Sequence, residues 1–184
     1  AVPVGGVSGA CAARPGPGVG FFRGGRHPAT TAADVLQLLG APASVGAFTV
    51  KCQAEADPAK IGPVDLVILA IKTYSNAETL PALKPLFGPN TSIITLQNGV
   101  DSYERVSGIL GKEQTCPGTA YIAAVLGGPG LMRHTSKFAT MRVGRMDGKP
   151  DAKLSAFLHA AKAANLDHQP QDRLHPAPRQ HTTF

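Results

Sequence analysis

The sequence predicts an α/β fold in which helices cover a doubly wound parallel sheet. Two apolar runs rich in branched residues, VDLVILAI at 64–71 and TSIITL at 91–96, have the composition of strands that are buried on both faces. Between them, Ser75 and Glu78 have the spacing of a capping box at the start of a helix. A strand, a helix and a second strand in this order form the right-handed crossover from which parallel sheets are built.

The same alternation continues after the second strand. DSYERVSGILG at 101–111 is typical of a helix that begins at Asp101 and ends before a glycine, and QTCPGTAYIAAVL at 114–126 follows as a strand. GLMRHTS at 130–136 and FATMRVGR at 138–145 are short, partly alternating and closely joined. We therefore expect these two segments to form an antiparallel hairpin at the edge of the sheet.

The last structured element is a helix that begins after Asp151, a residue suited to cap it. Its apolar residues fall on one face, which predicts packing against the sheet. They are Leu154, Phe157, Leu158 and Ala161. The following residues have no apolar period, so the predicted organisation is one dinucleotide-binding domain at 1–166 and a disordered tail at 167–184.

Composition excludes several classes of function. The 184 residues include 18 Lys and Arg against 12 Asp and Glu, and this net charge of +6 suits an anionic ligand. The chain has no run of three basic residues and only 5% aromatic residues, so we expect no nucleic-acid surface. Three widely spaced cysteines predict neither a disulfide framework nor a metal site. No apolar run reaches the ~20 residues of a membrane span, so a cytoplasmic protein is expected.

Polar residues follow both predicted buried strands. Lys72 comes directly after the first strand and Asn98 after the second. In open parallel sheets ligands bind beyond the carboxyl ends of the strands, so this cation and this carboxamide are candidates to contact a phosphate and a ribose or carbonyl. The alternative is that Lys72 is a solvated lysine and that Asn98 and Gly99 form a turn.

The opening residues AVPVGGVSGA are similar to the second half of a glycine-rich phosphate loop. In this interpretation Val4, Gly5 and Gly6 line a bound dinucleotide, since glycines allow close approach of the backbone. The loop then leads into a helix whose N-terminus attracts pyrophosphate.

A predicted strand, VGFF at 19–22, ends in the basic segment RGGRH. NAD-binding folds place an acidic residue at this point to bind the ribose diol. Arg23 and Arg26 instead suit the 2′-phosphate of NADP, and an ordinary basic turn is the alternative.

These segments resemble a known family, the ketopantoate reductases. The resemblance runs from about residue 2 to 169 and is carried by VGG, RGGRH, VDLVILAIKTY, ITLQNGV and GTAYIAA. It implies a Rossmann-like domain, NADPH as cofactor and reduction of the 2-keto acid ketopantoate to pantoate on the pathway to pantothenate and coenzyme A. It also implies that Lys72 and Asn98 face the cofactor and substrate and that Ala124 is a backbone contact to the cofactor.

The chain departs from the family pattern in two ways. Val2 stands where the second glycine of the loop is expected. We also expect the first strand to be missing, which predicts an unpaired inner edge of the sheet. The resemblance further places the general-acid lysine and a substrate-binding glutamate in a helical C-terminal domain, which we expect this chain to lack, so no catalytic residue is assigned.

These departures predict a truncated or decayed chain with weak activity or none. The alternative is a non-catalytic dinucleotide-binding or interaction module, which we expect to form homo-oligomers that cover the exposed edge.

Overall fold

The structure is a computed structural model that describes separate strands before residue 57 and most of the chain after it. The described residues are 9–13, 19–23, 35–39, 48–51, 53–55, 57–99, 101–128, 131–136, 140–163 and 167–170. The strands are β1 (Gly9–Ala13), β2 (Val19–Arg23), β3 (Val35–Leu39), β4 (Phe48–Lys51), β5 (Gln53–Glu55), β6 (Leu66–Leu69), β7 (Ser92–Thr95), β8 (Thr115–Tyr121), β9 (Ala124–Gly128), β10 (Leu131–His134), β11 (Thr140–Val143) and β12 (Asp167–Pro170). The helices are α1 (Pro58–Ile61), α2 (Asn76–Ala82), α3 (Ser102–Leu110) and α4 (Ala152–Ala163).

The main sheet confirms the predicted α/β class. Its strand order is β12-β11-β8-β7-β6-β1-β2-β5, and β6, β7 and β8 are parallel neighbours. Taken from β5 to β8, this order matches the 3-2-1-4-5-6 arrangement of a doubly wound dinucleotide-binding sheet. β1 occupies the first-strand position at the centre, but it runs antiparallel to both of its neighbours.

The inner edge of the sheet differs from the prediction. The sequence suggested that the glycine-rich segment leads into a helix and that β6 lacks a partner, yet Gly9–Ala13 form a strand that pairs with β6 from Ala10 opposite Leu69 to Ala13 opposite Leu66. The predicted helix at these residues and the unpaired edge are therefore both wrong. The physical reason is that the N–H and C=O groups along a buried strand edge need partners, and β1 supplies them.

The predicted edge hairpin pairs differently in the structure. The segment expected to be one strand at 114–126 forms β8 and β9, and β10 pairs antiparallel with β9 in a second sheet of order β4-β3-β10-β9. β11 instead pairs antiparallel with β8 in the main sheet. The antiparallel hairpin is thus β9–β10, whereas β10 and β11 belong to different sheets.

The end of the described chain also departs from the prediction. β12 pairs parallel with β11, although its residues were expected to begin the disordered tail. Ordered structure therefore extends past residue 166, because backbone pairing along β11 compensates for the lack of an apolar pattern. The remaining tail, 171–184, lies outside the described residues.

Apolar side chains cover both faces of the central strands, as their composition predicts. Along β6, Val67 and Leu69 face one cluster with α2 and α3, whereas Leu66 and Ile68 face another with α4. Alternate residues of a strand point to opposite faces, so a continuous apolar run fills two cores. The expected face of α4 contributes Leu154, Phe157, Leu158 and, buried separately, Ala161.

The helix ends agree with the sequence in part. Asp151 caps α4, because its Oδ1 accepts the N–H groups of two residues in the first turn at 2.9 and 3.0 Å. Gly111 ends α3 with a φ of 104°. Ser75 and Asp101 occupy N-cap positions, but neither side chain caps its helix. Ser75 already has helical backbone angles as part of a 3₁₀ turn, and Asp101 pairs with Arg105 instead.

Candidate functional site

The topology brings four predicted site residues to one edge of the main sheet. β2 and β6 are both antiparallel to β1, so they run in the same direction, as do β7 and β8. We call the edge where these four strands end the carboxyl rim. Arg23 is the last residue of β2, Lys72 follows β6, Asn98 follows β7, and Ala124 begins β9 just after β8. Residues from distant parts of the sequence therefore meet the same edge.

β1 begins at the same rim and runs away from it, antiparallel to β2 and β6. Gly9, the first residue of β1, lies opposite Arg23, so the chain enters the sheet at the carboxyl rim. β1 is a strand, and residues 9–13 therefore do not provide the helix N-terminus that a phosphate loop requires. Four of the predicted cofactor contacts lie outside the described residues. They are Val4, Gly5, Gly6 and Arg26.

Lys72 stands at the start of a short turn above β6. Its backbone is extended, and its carbonyl oxygen accepts the N–H of Ser75 at 3.0 Å to close a 3₁₀ turn at Thr73–Ser75. The Lys72 side chain is exposed, and the neighbouring Tyr74 is 84% exposed. A cation that leaves the sheet at a strand end in this way is suited to meet an anionic group.

Asn98 and Gly99 form the turn that joins β7 to α3. Gly99 has a φ of 118°, in the left-handed region that favours glycine, and a Cβ there would lie 3.4 Å from Oδ1 of Asp101. Asn98 is exposed at the rim. The turn proposed as an alternative role for this pair is therefore present, and it leaves the Asn98 carboxamide exposed for hydrogen bonding.

A buried pair of amides lies directly beneath these two loops. Gln97 Nε2 donates to Asn76 Oδ1 at 2.6 Å, and Asn76 Nδ2 donates to Gln97 Oε1 at 3.2 Å. Gln97 Nε2 also donates to the carbonyl oxygen of Ile71 at 3.0 Å. Sequence reasoning assigned no role to this pair. The available signal was a polar residue, Gln97, at the end of an apolar strand, where burial requires a partner.

Charged groups gather at the opposite, amino end of the sheet. Arg145 makes two hydrogen bonds to Asp147 at 2.9 Å, and this contact holds the pKa of the Asp147 carboxyl well below its usual range. A cleft of about 380 Å³ at this end is lined by residues that include Ser92, Asp151 and Lys153. None of the described site residues lines this cleft, and in it Ser92 donates a hydrogen bond to Asp151, the residue that caps α4.

Two further kinds of site are absent from the described part of the chain. Among these residues no cluster of three or more His, Cys, Asp and Glu side chains could hold a metal ion. None of the described helices has both the length and the apolar composition needed to cross a membrane.

Comparison with known proteins finds a matching family. The model of the family "Ketopantoate reductase PanE/ApbA" matches residues 3–148. The chain is 32% identical over 87 residues to the 2-dehydropantoate 2-reductase of Aquifex aeolicus, a match that covers 47% of this chain and 28% of that protein. The chain thus spans about a third of the length of the curated relatives it matches.

Solved structures show the same likeness. The crystal structure of 2-dehydropantoate 2-reductase from Geobacter metallireducens GS-15 superposes with a TM-score of 0.67 at 26% identity, covering 74% of this chain and 44% of that one. The enzyme of the same name from Porphyromonas gingivalis W83 gives a TM-score of 0.67 at 25% identity, covering 78% and 49%. The chain therefore belongs to the ketopantoate reductase family.

Proposed function

We propose that the carboxyl rim of this chain binds NADPH and that this binding serves the reduction of 2-dehydropantoate to pantoate for pantothenate and coenzyme A synthesis. The observation that carries the proposal is the convergence of Arg23, Lys72, Asn98 and Ala124 on one edge of a sheet with dinucleotide-binding strand order. Ligands of such sheets bind at this edge, near the point where the strand order reverses.

The rim residues fit a phosphorylated dinucleotide. Lys72 is an exposed cation suited to a phosphate, and Asn98 carries an exposed amide that can both donate to and accept from a ribose or carbonyl. Ala124 would contribute backbone groups where β9 begins. Arg23, at the end of β2, or Arg26 just beyond it would meet the 2′-phosphate that distinguishes NADPH from NADH.

The proposed reaction needs more than this rim. When bound, NADPH would supply the hydride that goes to the ketone carbon, while a proton donor neutralises the alkoxide that forms on the ketone oxygen. The family resemblance assigns the donor to a lysine of a helical domain and not to any residue proposed here. We therefore expect the 184-residue chain by itself to bind the cofactor but to turn over ketopantoate weakly or not at all.

The first test is a titration of the purified chain with NADPH and, separately, with NADH, followed by nicotinamide fluorescence. Saturable binding that favours NADPH supports the proposal. If neither cofactor binds, the rim has the residues of an ancestral site but does not bind the cofactor. Rapid reduction of ketopantoate by the same sample would contradict the expectation of weak turnover.

A further inference from the structure

The reciprocal pair of Asn76 and Gln97 joins α2 to the segments that follow β6 and β7, which carry the two exposed site residues. Gln97 lies two residues after the end of β7, and Asn76 is the first residue of α2. Both are buried, with 6% and 7% of their surfaces exposed. Ser102, the first residue of α3, adds hydrogen bonds from its hydroxyl to the carbonyl oxygens of Gln97 at 3.4 Å and Gly99 at 3.1 Å.

The contacts reach the residues immediately before Lys72 and Asn98. Gln97 precedes Asn98 in the chain, and its side chain holds the carbonyl oxygen of Ile71, which precedes Lys72. Each of the two amide hydrogens on Gln97 Nε2 has an acceptor, one on Ile71 and one on Asn76. A rotation of either loop would break at least one of these buried hydrogen bonds, which costs free energy because the groups cannot reach water.

We infer that Asn76 and Gln97 are positioning residues of the rim, which hold Lys72 and Asn98 at a fixed separation so that both can contact one bound dinucleotide. This inference rests on the proposed function for the identity of the ligand. The two side chains touch no ligand themselves. They act on the backbone that carries the binding residues, and binding groups that are held in place before the ligand arrives lose less entropy when it binds.

Replacement of the amides by apolar side chains of similar size separates positioning from folding. Gln97→Met leaves the Asn76 amide and the Ile71 carbonyl oxygen without their partner, and Asn76→Leu leaves the Gln97 amide with its bond to Ile71 alone. The double variant removes both amides, keeps the volume and leaves the Ile71 carbonyl oxygen without this donor. The matched control is Ser92→Ala, which deletes a partly buried hydrogen bond to Asp151 at the amino end of the same strand. Ser92 is 6% exposed, so the control tests a site of similar burial away from the rim.

The loops can be observed without any ligand by amide hydrogen exchange. The Ser75 N–H is bonded to Lys72 O and reports on the first loop, while the Arg105 N–H is bonded to Asp101 O and reports on the second. We expect exchange at both amides to be about tenfold faster in the double variant, which corresponds to one buried hydrogen bond, and unchanged in Ser92→Ala. The double variant should unfold at a urea concentration closer to that of the parent than Gln97→Met does, because it buries no amide without a partner.

Binding then connects the pair to the site. The Kd for NADPH should rise about tenfold in the double variant and stay within twofold of the parent in Ser92→Ala. The exchanged pair Asn76→Gln with Gln97→Asn keeps two facing amides, and it should recover part of the lost affinity.

The two proposals fail by different results. If the parent chain binds no NADPH, the proposed function is wrong. If the folded double variant keeps parental exchange at Ser75 and Arg105, the positioning role is wrong, whatever the parent binds. If exchange rises but the Kd for NADPH does not change, the pair orders loops that binding does not depend on, and the inference is also overturned.

Discussion

Ser92 on β7 donates a hydrogen bond to Asp151 Oδ2 at 2.9 Å, so the residue that caps α4 also ties this helix to the amino end of the central sheet. Arg145 Nη1 lies 3.5 Å from the same carboxylate, whose side chain is 10% exposed. One aspartate thus joins a strand, a helix and the turn after β11. The second apolar core lies between the sheet and α4, the two elements that this aspartate connects.

Replacement of Asp151 tests that connection. We expect Asp151→Ala to lower the free energy of unfolding by about 2 kcal/mol, because it removes a helix cap and leaves the Ser92 hydroxyl without its acceptor. Urea unfolding measures the change. The control is Asp101→Ala at the start of α3, where the aspartate does not cap and pairs only with exposed Arg105, so we expect a loss below about 1 kcal/mol. Equal losses in the two variants would contradict the capping role.

Gly118 in β8 is expected to tolerate no side chain. A Cβ there would lie 2.8 Å from Cδ2 of Leu96 and 3.3 Å from the carbonyl oxygen of Arg142. Because these groups are packed in the core and the ladder, Gly118→Ala should destabilise the protein by about 1–3 kcal/mol. Gly108→Ala is the matched control, since nothing lies within 4 Å of its Cβ position on α3. That change should stabilise the protein by about 0.5–1 kcal/mol through helix propensity. Thermal unfolding of both variants gives the sign of each effect.

Cys116 is expected to react slowly in the folded protein. Burial, followed by the negative charge of Asp151, raises the pKa of its thiol from 9.0 to about 12. Since the thiolate is the reactive form, iodoacetamide at pH 8 should modify native Cys116 at least about a hundredfold more slowly than the urea-unfolded chain. A variant with Cys11→Ser and Cys52→Ser leaves Cys116 as the single cysteine for this measurement. Similar rates in the native and unfolded states would contradict the burial of this thiol.

The same pKa difference predicts a loss of stability at high pH. The unfolded thiol loses its proton near pH 9.0, whereas the folded thiol keeps it until about pH 12. Between these values the unfolded state binds fewer protons, so the contribution of Cys116 is complete below about pH 9 and disappears as the pH rises through about 12. Cys116→Ala should make the unfolding free energy less dependent on pH in this interval.

Replacement of Lys72 tests whether the rim contacts a phosphate of the cofactor. We expect Lys72→Ala to weaken NADPH binding about tenfold, because it removes a cation that would contact a phosphate. Lys112→Ala removes the same charge just before β8, at the opposite end of the sheet, and should leave the affinity within about twofold. Fluorescence titrations of the two variants at equal ionic strength make the comparison. Equal weakening would indicate an effect of net charge and not of a site.

Arg23 and Arg26 are expected to determine the preference between the two cofactors. If either binds the 2′-phosphate, its replacement by alanine should reduce affinity for NADPH by about tenfold and leave NADH almost unchanged, since NADH lacks that group. The ratio of the two dissociation constants is the relevant measurement. The same loss for both cofactors would place the arginine at the shared pyrophosphate or outside the site.

The local sequence pattern was sufficient to predict those elements whose structure depends on residues close in the sequence. The apolar runs predicted β6 and β7, and Asp151 with the apolar face that follows it predicted α4. The strand-end rule predicted that Lys72 and Asn98 lie at one edge. These inferences succeed because burial on two faces and capping at a helix start depend on residues close in the sequence.

Pairing between distant segments could not be predicted in the same way. Gly9–Ala13 are small residues with no strand pattern of their own, and they form β1 because β6 and β2 offer them two edges. The partners of β10 and β11 were mistaken because closeness in sequence suggested a hairpin, whereas each strand pairs with a different sheet. The buried contact of Asn76 with Gln97 likewise joins two loops whose approach only the packed sheet defines.

The sequence by itself therefore determined the class of fold, the family resemblance and the strand ends at which the candidate residues lie, since periodicity and short motifs encode these directly. Tertiary structure alone decided that the central strand position is filled by an antiparallel segment and that a buried amide pair supports the rim. Hydrogen-bonding groups along buried edges must find partners, and which segment supplies them depends on the whole packed chain and not on local preference.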